Sequence, residues 1–252
     1  MDFTDKVIII TGASSGIGQG AALYLSKLGA KLVLTGRNES NLKETAKNCV
    51  GETITVIGDV NDEAHRKQII DETISKYGKI NVLVNNSGRG LAGDAESTKL
   101  EDFDLIMNTN VRSVFHLTQL AIPHLIKTEG NIVNISSVAG LRAFANASVY
   151  CMSKAAIDQF TRCLALDLAP KKVRCNAVNP AVIVTNFHRA VGMDEEAYKA
   201  FLEHCKTTHP LGRAGTVDET AHAIAFLASD LATFITGTCL AVDGGKAVLC
   251  PR

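Results

Sequence analysis

The fold of this chain is decided near its N-terminus by the stretch KVIIITGASSGIG, residues 6–18. A short apolar run rich in Ile predicts a strand that is buried on both faces. The glycines after it permit a tight turn into a helix, where backbone amides can approach a pyrophosphate. The spacing Gly-x-x-x-Gly-x-Gly is one residue longer than the usual dinucleotide fingerprint, so an ordinary strand-to-helix turn is the alternative. We favour phosphate binding because the turn follows the first strand of an alternating pattern.

The alternation of strand-like and helical segments continues to the end of the chain. Thr216 and Glu219 have capping-box spacing, which predicts the start of the last helix. Pro123 predicts a kink in a long helix over residues 101–127. With no internal repeat or linker, residues 1–252 are predicted to form one α/β domain, a doubly wound, mostly parallel sheet with helices on both faces. The seven predicted strands cover residues 6–10, 31–35, 53–57, 80–84, 131–136, 173–178 and 238–242.

The composition narrows the class of protein. The chain has 252 residues, enough for one large domain that buries most of its apolar surface. Lys+Arg and Asp+Glu both total 26, so no net charge favours nucleic acid or an anionic membrane. The first apolar run, residues 7–10, is too short for a signal peptide or a membrane span. Seven scattered cysteines predict reduced thiols in the cytoplasm, and they and the seven histidines lack metal-binding spacing, so no metal is expected.

Tyr150 and Lys154 lie four residues apart, so in a helix they share one face. A nearby ammonium favours the ionised phenol, and we therefore expect Lys154 to lower the pKa of Tyr150. Such a phenol is a candidate acid or base. Ser137 follows a predicted buried strand, and its hydroxyl can hydrogen-bond a substrate oxygen. Taken alone, this pair is also compatible with a packed ring beside a solvated amine.

The end of the second predicted strand bears on the choice of cofactor. A carboxylate there would bind the 2′-hydroxyl of NAD, but the chain has Gly36 followed by Arg37. A guanidinium can hold a 2′-phosphate through two hydrogen bonds. We therefore expect NADP(H) rather than NAD(H), with Arg37 and Asn38 near the phosphate. A solvent-facing Arg37, or a ribose contact from Glu39, remains the alternative.

Further motifs follow in order: Asp59-Val60, Asn85-Asn86-Ser87-Gly88, Asn110, Ser137 and Tyr150-x-x-x-Lys154. With the glycine turn, they make the chain resemble the short-chain dehydrogenases/reductases over residues 6–245. Members similar to β-ketoacyl-carrier-protein reductases and hydroxysteroid dehydrogenases look closest. The resemblance implies a seven-stranded Rossmann fold and an oxidoreductase, and Gly36-Arg37 leads us to expect that this enzyme is NADP(H)-dependent. It also implies a homotetramer, formed through the two long helices and the C-terminal strand.

The resemblance also implies site residues. Tyr150 would act as general acid in reduction and base in oxidation, and Ser137 would donate to the substrate oxygen. Lys154 would hydrogen-bond the nicotinamide ribose, and Asn110 would hold a water. The implied cofactor-binding residues are Gly12, Ser14, Ser15, Gly16, Ile17 and Gly18 at the pyrophosphate, Asp59 and Val60 at the adenine, Asn85, Ser87 and Gly88 at the ribose, Asn110, Tyr150 and Lys154 at the reaction centre, and Pro180, Ile183 and Thr185 at the nicotinamide.

Two positions depart from the family pattern. Ser87 replaces an alanine, a small change that we expect to be tolerated. Ala181 replaces a glycine where the chain approaches the nicotinamide, and it restricts the backbone there.

The segment 185–210 is implied to be a substrate lid. Within it, Tyr198, Phe201, Leu202 and Cys205 form an apolar stripe, which would face either an apolar substrate or the core. The expected activity is reduction of a ketone in a lipophilic small molecule, or oxidation of the corresponding secondary alcohol. The alternatives are an NAD-dependent alcohol or hydroxysteroid dehydrogenase and a catalytically silent regulatory protein.

Overall fold

A computed structural model describes residues 1–250 of the chain. Seven strands form its sheet, and every strand pair is parallel. The predicted doubly wound Rossmann fold is therefore confirmed, and the sheet is parallel throughout rather than mostly so. The strands are β1 (Val7–Thr11), β2 (Lys31–Gly36), β3 (Thr53–Ile57), β4 (Val82–Asn85), β5 (Asn131–Ile135), β6 (Arg174–Pro180) and β7 (Cys239–Val242).

The strand order is β3-β2-β1-β4-β5-β6-β7. The chain winds outward from β1 in one direction and then restarts from β4 in the other. Such a reversal leaves a crevice at the carboxyl ends of the two central strands, where ligands bind in sheets of this kind. Here β1 pairs with β4 through Ile10 and Val84, so the crevice opens just beyond those residues.

Residues 1–250 contain ten α-helices. They are α1 (Gly16–Lys27), α2 (Glu39–Asn48), α3 (Glu63–Tyr77), α4 (Leu100–Met107), α5 (Ser113–Thr128), α6 (Val138–Leu141), α7 (Ser148–Leu168), α8 (Phe187–Ala190), α9 (Glu195–Thr208) and α10 (Val217–Ala228). No helix within residues 1–250 is both long enough and apolar enough to cross a membrane.

The core consists of two apolar layers, one on each face of the sheet. Ile8 and Ile10 point into the layer that holds α1 and α10, whereas Ile9 points into the layer of α3, α5 and α7. Successive strand residues face opposite sides, so a strand covered on both faces is apolar at every position. This is why the run of isoleucines in β1 is continuous.

The long helix predicted over 101–127 is interrupted, but not by Pro123. Pro123 lies within α5, and the regular hydrogen bonding changes instead at a π-helical turn, Asn108–Arg112. Turns of this kind inside α-helices are often found at functional sites. The predicted capping box at Thr216 and Glu219 is present at the start of α10.

Candidate active site

A cavity of about 1240 Å³ lies along the carboxyl edge of the sheet. Its floor is formed where the strands end, and one side is closed by the segment that carries α8 and α9. At one end it reaches Arg37 and Asp59, and near the other it reaches Phe201 and Lys246. This is the crevice that the strand order predicts.

The glycine turn forms a close-packed cradle beside β1. Gly12 has a positive φ of 65°, a conformation that glycine adopts without strain. A Cβ on Gly18 would lie 2.4 Å from the carbonyl oxygen of Gly12, so only glycine fits there. The Asn86 amide holds the turn from the other side, because it donates to the carbonyls of Thr11 and Gly12 at 2.8 and 3.2 Å.

The cradle suits a phosphate-bearing cofactor. The Ser14 hydroxyl is buried without a hydrogen-bond partner, and Ser14 lines the cavity together with Ser15, Gly16 and Ile17. A Cβ on Gly36 would lie 2.2 Å from that hydroxyl, so the glycine at the end of β2 leaves room for it. A buried polar atom normally finds a partner, and a pyrophosphate oxygen would supply one.

Arg37 lies at the far end of the cavity, as predicted for a 2′-phosphate contact. Its guanidinium faces the carboxylate of Asp59 at 3.6 Å, and both groups are largely exposed. Asn38 caps α2 by accepting a hydrogen bond from the amide of Asn41. The carbonyl of Val60, in the adjacent wall, accepts a hydrogen bond from the buried Arg66.

Tyr150 lies in the first turn of α7 and lines the cavity beside Ser137. Burial raises the pKa of Tyr150 to about 12, and a side-chain hydrogen bond with Ser137 offsets only part of that rise. The expected lowering of this pKa by Lys154 is therefore not found. Desolvation of the phenolate is the dominant cause, and the nitrogen of Lys154 lies 5.8 Å from the ring centre.

Lys154 is buried one turn further along α7. Its amine donates a 2.8 Å hydrogen bond to the carbonyl of Ile135, at the end of β5. Burial lowers the pKa of Lys154 to about 8, and the nearby Asp158 acts in the opposite direction. The amine is thus close to its titration point near neutral pH.

Asn110 lies within the π-helical turn, and both the oxygen and the nitrogen of its side-chain amide form hydrogen bonds. The amide oxygen accepts from the backbone N–H of Arg89 at 2.8 Å, and the amide nitrogen donates to the Arg89 carbonyl at 2.9 Å. The same nitrogen donates to the hydroxyl of Ser153 at 3.0 Å. Asn110 therefore fixes the loop after β4 against α7.

Most of the predicted cofactor residues line this cavity, including Ser87 and Gly88, but Gly18, Asn85 and Asn110 do not. The expectation for Asn85 requires a correction. Its side chain points into the core and donates to Thr118 and Asn134. The next residue, Asn86, faces the cavity instead, since adjacent residues at a strand end point to opposite sides.

The segment after β6 carries Pro180, Ile183 and Thr185 along the cavity wall. Ala181 is not among the residues with a positive φ, and its amide donates to the carbonyl of Val242 at 3.2 Å. An alanine therefore fits this position without backbone strain. The replacement of the family's glycine by Ala181 therefore does not distort the backbone at this position.

The apolar stripe of segment 185–210 divides between two roles. Tyr198 and Cys205 are buried in packing, and the Tyr198 hydroxyl donates to the Thr185 carbonyl at 3.1 Å. Phe201 lines the cavity, whereas Leu202 does not. Phe187, which the sequence did not single out, places its ring 6.0 Å from that of Tyr150.

The fold and the site together define an oxidoreductase of the Rossmann class. A family model described as Enoyl-(Acyl carrier protein) reductase matches residues 12–247, and the chain belongs to the short-chain dehydrogenase/reductase family. L-xylulose reductase of Caenorhabditis elegans is 38% identical over 246 residues, covering 97% of this chain and 96% of the relative. The 3-oxoacyl-[acyl-carrier-protein] reductase of Thermotoga maritima is 35% identical, covering 98% and 100%.

Solved structures agree with this assignment. A short-chain dehydrogenase/reductase of unknown function from Caenorhabditis elegans, crystallised with cofactor, superposes with a TM-score of 0.92 at 36% identity, covering 98% of this chain and 97% of the other. The ligand-free aldohexose dehydrogenase of Thermoplasma acidophilum gives 0.89 at 37% identity, covering 99% and 96%.

Proposed function

We propose that the protein is an NADP(H)-dependent oxidoreductase that reduces a ketone of a lipophilic small molecule, or oxidises the corresponding secondary alcohol. One observation carries this proposal. Tyr150, Ser137 and Lys154 meet in the same cavity whose other end has the glycine cradle and Arg37. A bound nicotinamide cofactor supplies or accepts the hydride there.

The side chains of the chain provide the proton and the positioning. A phenol with a pKa raised to about 12 is protonated at neutral pH, so Tyr150 is set to donate to an oxygen that gains negative charge. Ser137 accepts from the amide of Ala139 at 3.1 Å, which orients its own O–H toward other acceptors. A second donor at the developing alkoxide stabilises the charge further.

Lys154 provides the charge next to the phenol. As the Tyr150 proton leaves, the buried ammonium stabilises the phenolate, even though burial dominates the resting pKa. Because the pKa of Lys154 is lowered to about 8, the reductive rate should fall as the pH rises through that value. Asn110 acts as a positioning residue through its hydrogen bonds to Arg89 and Ser153.

The preference for NADP(H) is supported by Arg37 and by the lack of a carboxylate directly after β2. Asp59 already faces Arg37, and a 2′-phosphate would compete with it for the guanidinium. Bidentate hydrogen bonds to a phosphate are stronger than an exposed ion pair at 3.6 Å. The NAD-dependent alternative needs a carboxylate for the ribose, and Asp59 is the group to test for it.

A lipophilic substrate is supported by the side chains around the reaction centre. Phe187 lies over Tyr150, and both it and Phe201 come from the 185–210 segment that we infer to be the lid. Other apolar side chains that line the cavity include Leu91, Phe144, Val191 and Met193.

The test is to follow NADPH oxidation over a panel of ketosteroids, β-ketoacyl thioesters, retinoids and quinones. Tyr150→Phe should lower kcat about 1000-fold or more for any substrate found, because the proton donor is lost. NADPH affinity should remain within a few-fold. The matched control is Tyr24→Phe, a ring that packs on His222. Full activity in Tyr150→Phe would exclude this mechanism, and binding without turnover across the panel would favour the silent regulatory alternative.

We also propose a homotetramer in a reducing, cytoplasmic compartment. Exposed apolar side chains on α5 and α7, namely Phe115, Met152 and Leu166, support an interface along these helices. The six cysteines before residue 240 form no disulfide among the described residues. Light scattering at micromolar concentration tests the assembly, and a monomer would contradict it.

A further inference from the structure

The charges around the cavity are distributed unevenly, and this bears on the substrate of the proposed reductase. Four cationic side chains line it: Arg37, Arg89, Lys154 and Lys246. Among the described residues, Asp59 is the only carboxylate in the lining, and it faces Arg37 at the adenine end. Lys154 belongs to the reaction centre. Among the described residues that line the cavity, Arg89 and Lys246 are therefore cations without a paired carboxylate.

Lys246 is the better anchored of these two cations. Its amine donates to the hydroxyl of Thr208, at the end of α9, at 3.3 Å. The same nitrogen lies 5.7 Å above the centre of the Phe144 ring. Contacts to two separate segments hold the half-buried side chain at the mouth of the cavity. It is therefore a fixed charge rather than a mobile surface lysine.

The nearest acid does not neutralise Lys246. Asp243 uses its two carboxylate oxygens to accept the amides of Gly245 and Ala247, at 2.8 and 2.6 Å. Lys246 forms no salt bridge within residues 1–250, and burial lowers its pKa despite Asp243 and Cys205. The ammonium thus bears a desolvation penalty that an anion in the cavity would offset.

Arg89 lies in the loop after β4, whereas Lys246 follows β7. The Arg89 backbone is fixed on both its N–H and its C=O by the Asn110 side chain. Its guanidinium lines the cavity, is exposed, and forms no salt bridge in the described part of the chain. Apolar rings, Phe144 and Phe187, complete this end of the site.

We propose that the substrate is an amphiphilic oxo-acid, whose apolar body lies against Phe144 and Phe187 and whose carboxylate is bound by Lys246 with help from Arg89. The inference rests on the proposed carbonyl reduction and adds the substrate class. The alternative is a purely structural role, in which Lys246 only packs its aliphatic stem against Phe144. In that case the charge of the substrate would not matter.

The experiment uses straight-chain oxodecanoates that differ in the position of the ketone, each paired with its methyl ester. The wild-type enzyme should prefer the acid over its ester in kcat/KM. Lys246→Met keeps the stem but removes the charge, and should lower the acid-to-ester ratio about tenfold, mainly through KM, since a charge-assisted hydrogen bond is lost. Arg89→Met should lower it by a smaller factor. The control, Lys206→Met, removes an exposed lysine of α9 that is paired with Glu203.

Equal losses for acid and ester, or a wild-type preference for the ester, would overturn the proposal. Isothermal titration of the hydroxydecanoates into the NADP⁺-loaded protein separates this inference from the proposed function. If no ketone is reduced, the catalytic proposal fails. Even then, tenfold weaker hydroxy-acid binding by Lys246→Met would support the anion site, and equal binding would refute it.

Discussion

The two ends of the cavity are built differently. At the nucleotide end, close contacts come from glycines at the ends of strands: the Gly12 carbonyl accepts from the Asn86 amide, and Gly36 leaves room for the Ser14 hydroxyl. At the substrate end, the contacts come from side chains on segments outside the sheet, such as Phe187, Phe144 and Lys246. At the nucleotide end, the backbone packs so closely that few residue types fit. At the substrate end, single side-chain substitutions can change the cavity lining while the sheet stays the same.

The largest change in cofactor affinity should come from a substitution at Gly18, in the nucleotide end. Gly18→Ala places a methyl group 2.4 Å from the Gly12 carbonyl oxygen and from the Asn86 amide nitrogen. Backbone must shift to relieve this, and we expect NADPH affinity to fall about 100-fold. NADPH fluorescence titration measures it. Gln19→Ala, at the neighbouring residue in α1, is the control because the Gln19 side chain does not line the cavity and donates to the hydroxyl of Thr45. An affinity within threefold of wild type would mean that the cradle is not rigid.

A smaller effect on cofactor affinity is expected at Arg37, which is exposed at the nucleotide end. Arg37→Asp removes the cation and adds a charge beside Asp59. We expect the ratio of NADPH to NADH affinity to fall about 30-fold, since two hydrogen bonds to a phosphate are lost. Lys43→Asp makes the same charge change on α2, where Lys43 pairs with Glu39, and should leave the ratio near its original value. An unchanged ratio in Arg37→Asp would remove Arg37 from the phosphate site.

The smallest change is expected in folding stability, at Lys154, and it is a gain rather than a loss. The folded-state pKa of Lys154 is lowered from 10.5 to about 8, so the folded protein binds fewer protons and wild-type stability rises with pH across this interval. Lys154→Met should therefore stabilise the protein near neutral pH by about 1 kcal/mol, after loss of the hydrogen bond to Ile135. The gain should shrink as the pH approaches about 10.

Urea unfolding of Lys154→Met and wild type across this pH range measures the difference. Lys172→Met is the control, because Lys172 is exposed and its hydrogen bond with Glu129 raises its pKa. That variant should not be stabilised. Stability curves for Lys154→Met and wild type that stay parallel at every pH would contradict the lowered pKa.

The strands and helices could be predicted from the sequence because the two apolar layers of the core correspond to regular patterns of apolar residues in the chain. The strand at 53–57 has the predicted bounds. The strands β1, β2, β4 and β6 end later than predicted, and two of them end at Gly36 and Pro180. Neither residue type is a usual strand residue, and pairing with the neighbouring strands carries the backbone through them. The interruption of the long helix at Asn108–Arg112 had no proline or glycine to mark it.

The candidate site was less predictable wherever the answer depended on tertiary packing. The Asn-Asn pair at 85–86 was recognised, but which amide faces the cavity depends on where the strand ends. The pKa of Tyr150 depends on burial, which the spacing to Lys154 does not reveal. No sequence pattern indicated a role for Lys246 in the site, because its partners Phe144 and Thr208 are distant in the chain.

The double hydrogen bond between Asn110 and Arg89 has a consequence for protein engineering. A substitution at Asn110 would release the loop that presents Arg89 and would also alter the support of α7 through Ser153. Turnover and selectivity would then change together and could not be optimised separately. Lys246 is attached to another part of the chain, so libraries that aim to retarget the enzyme should begin there.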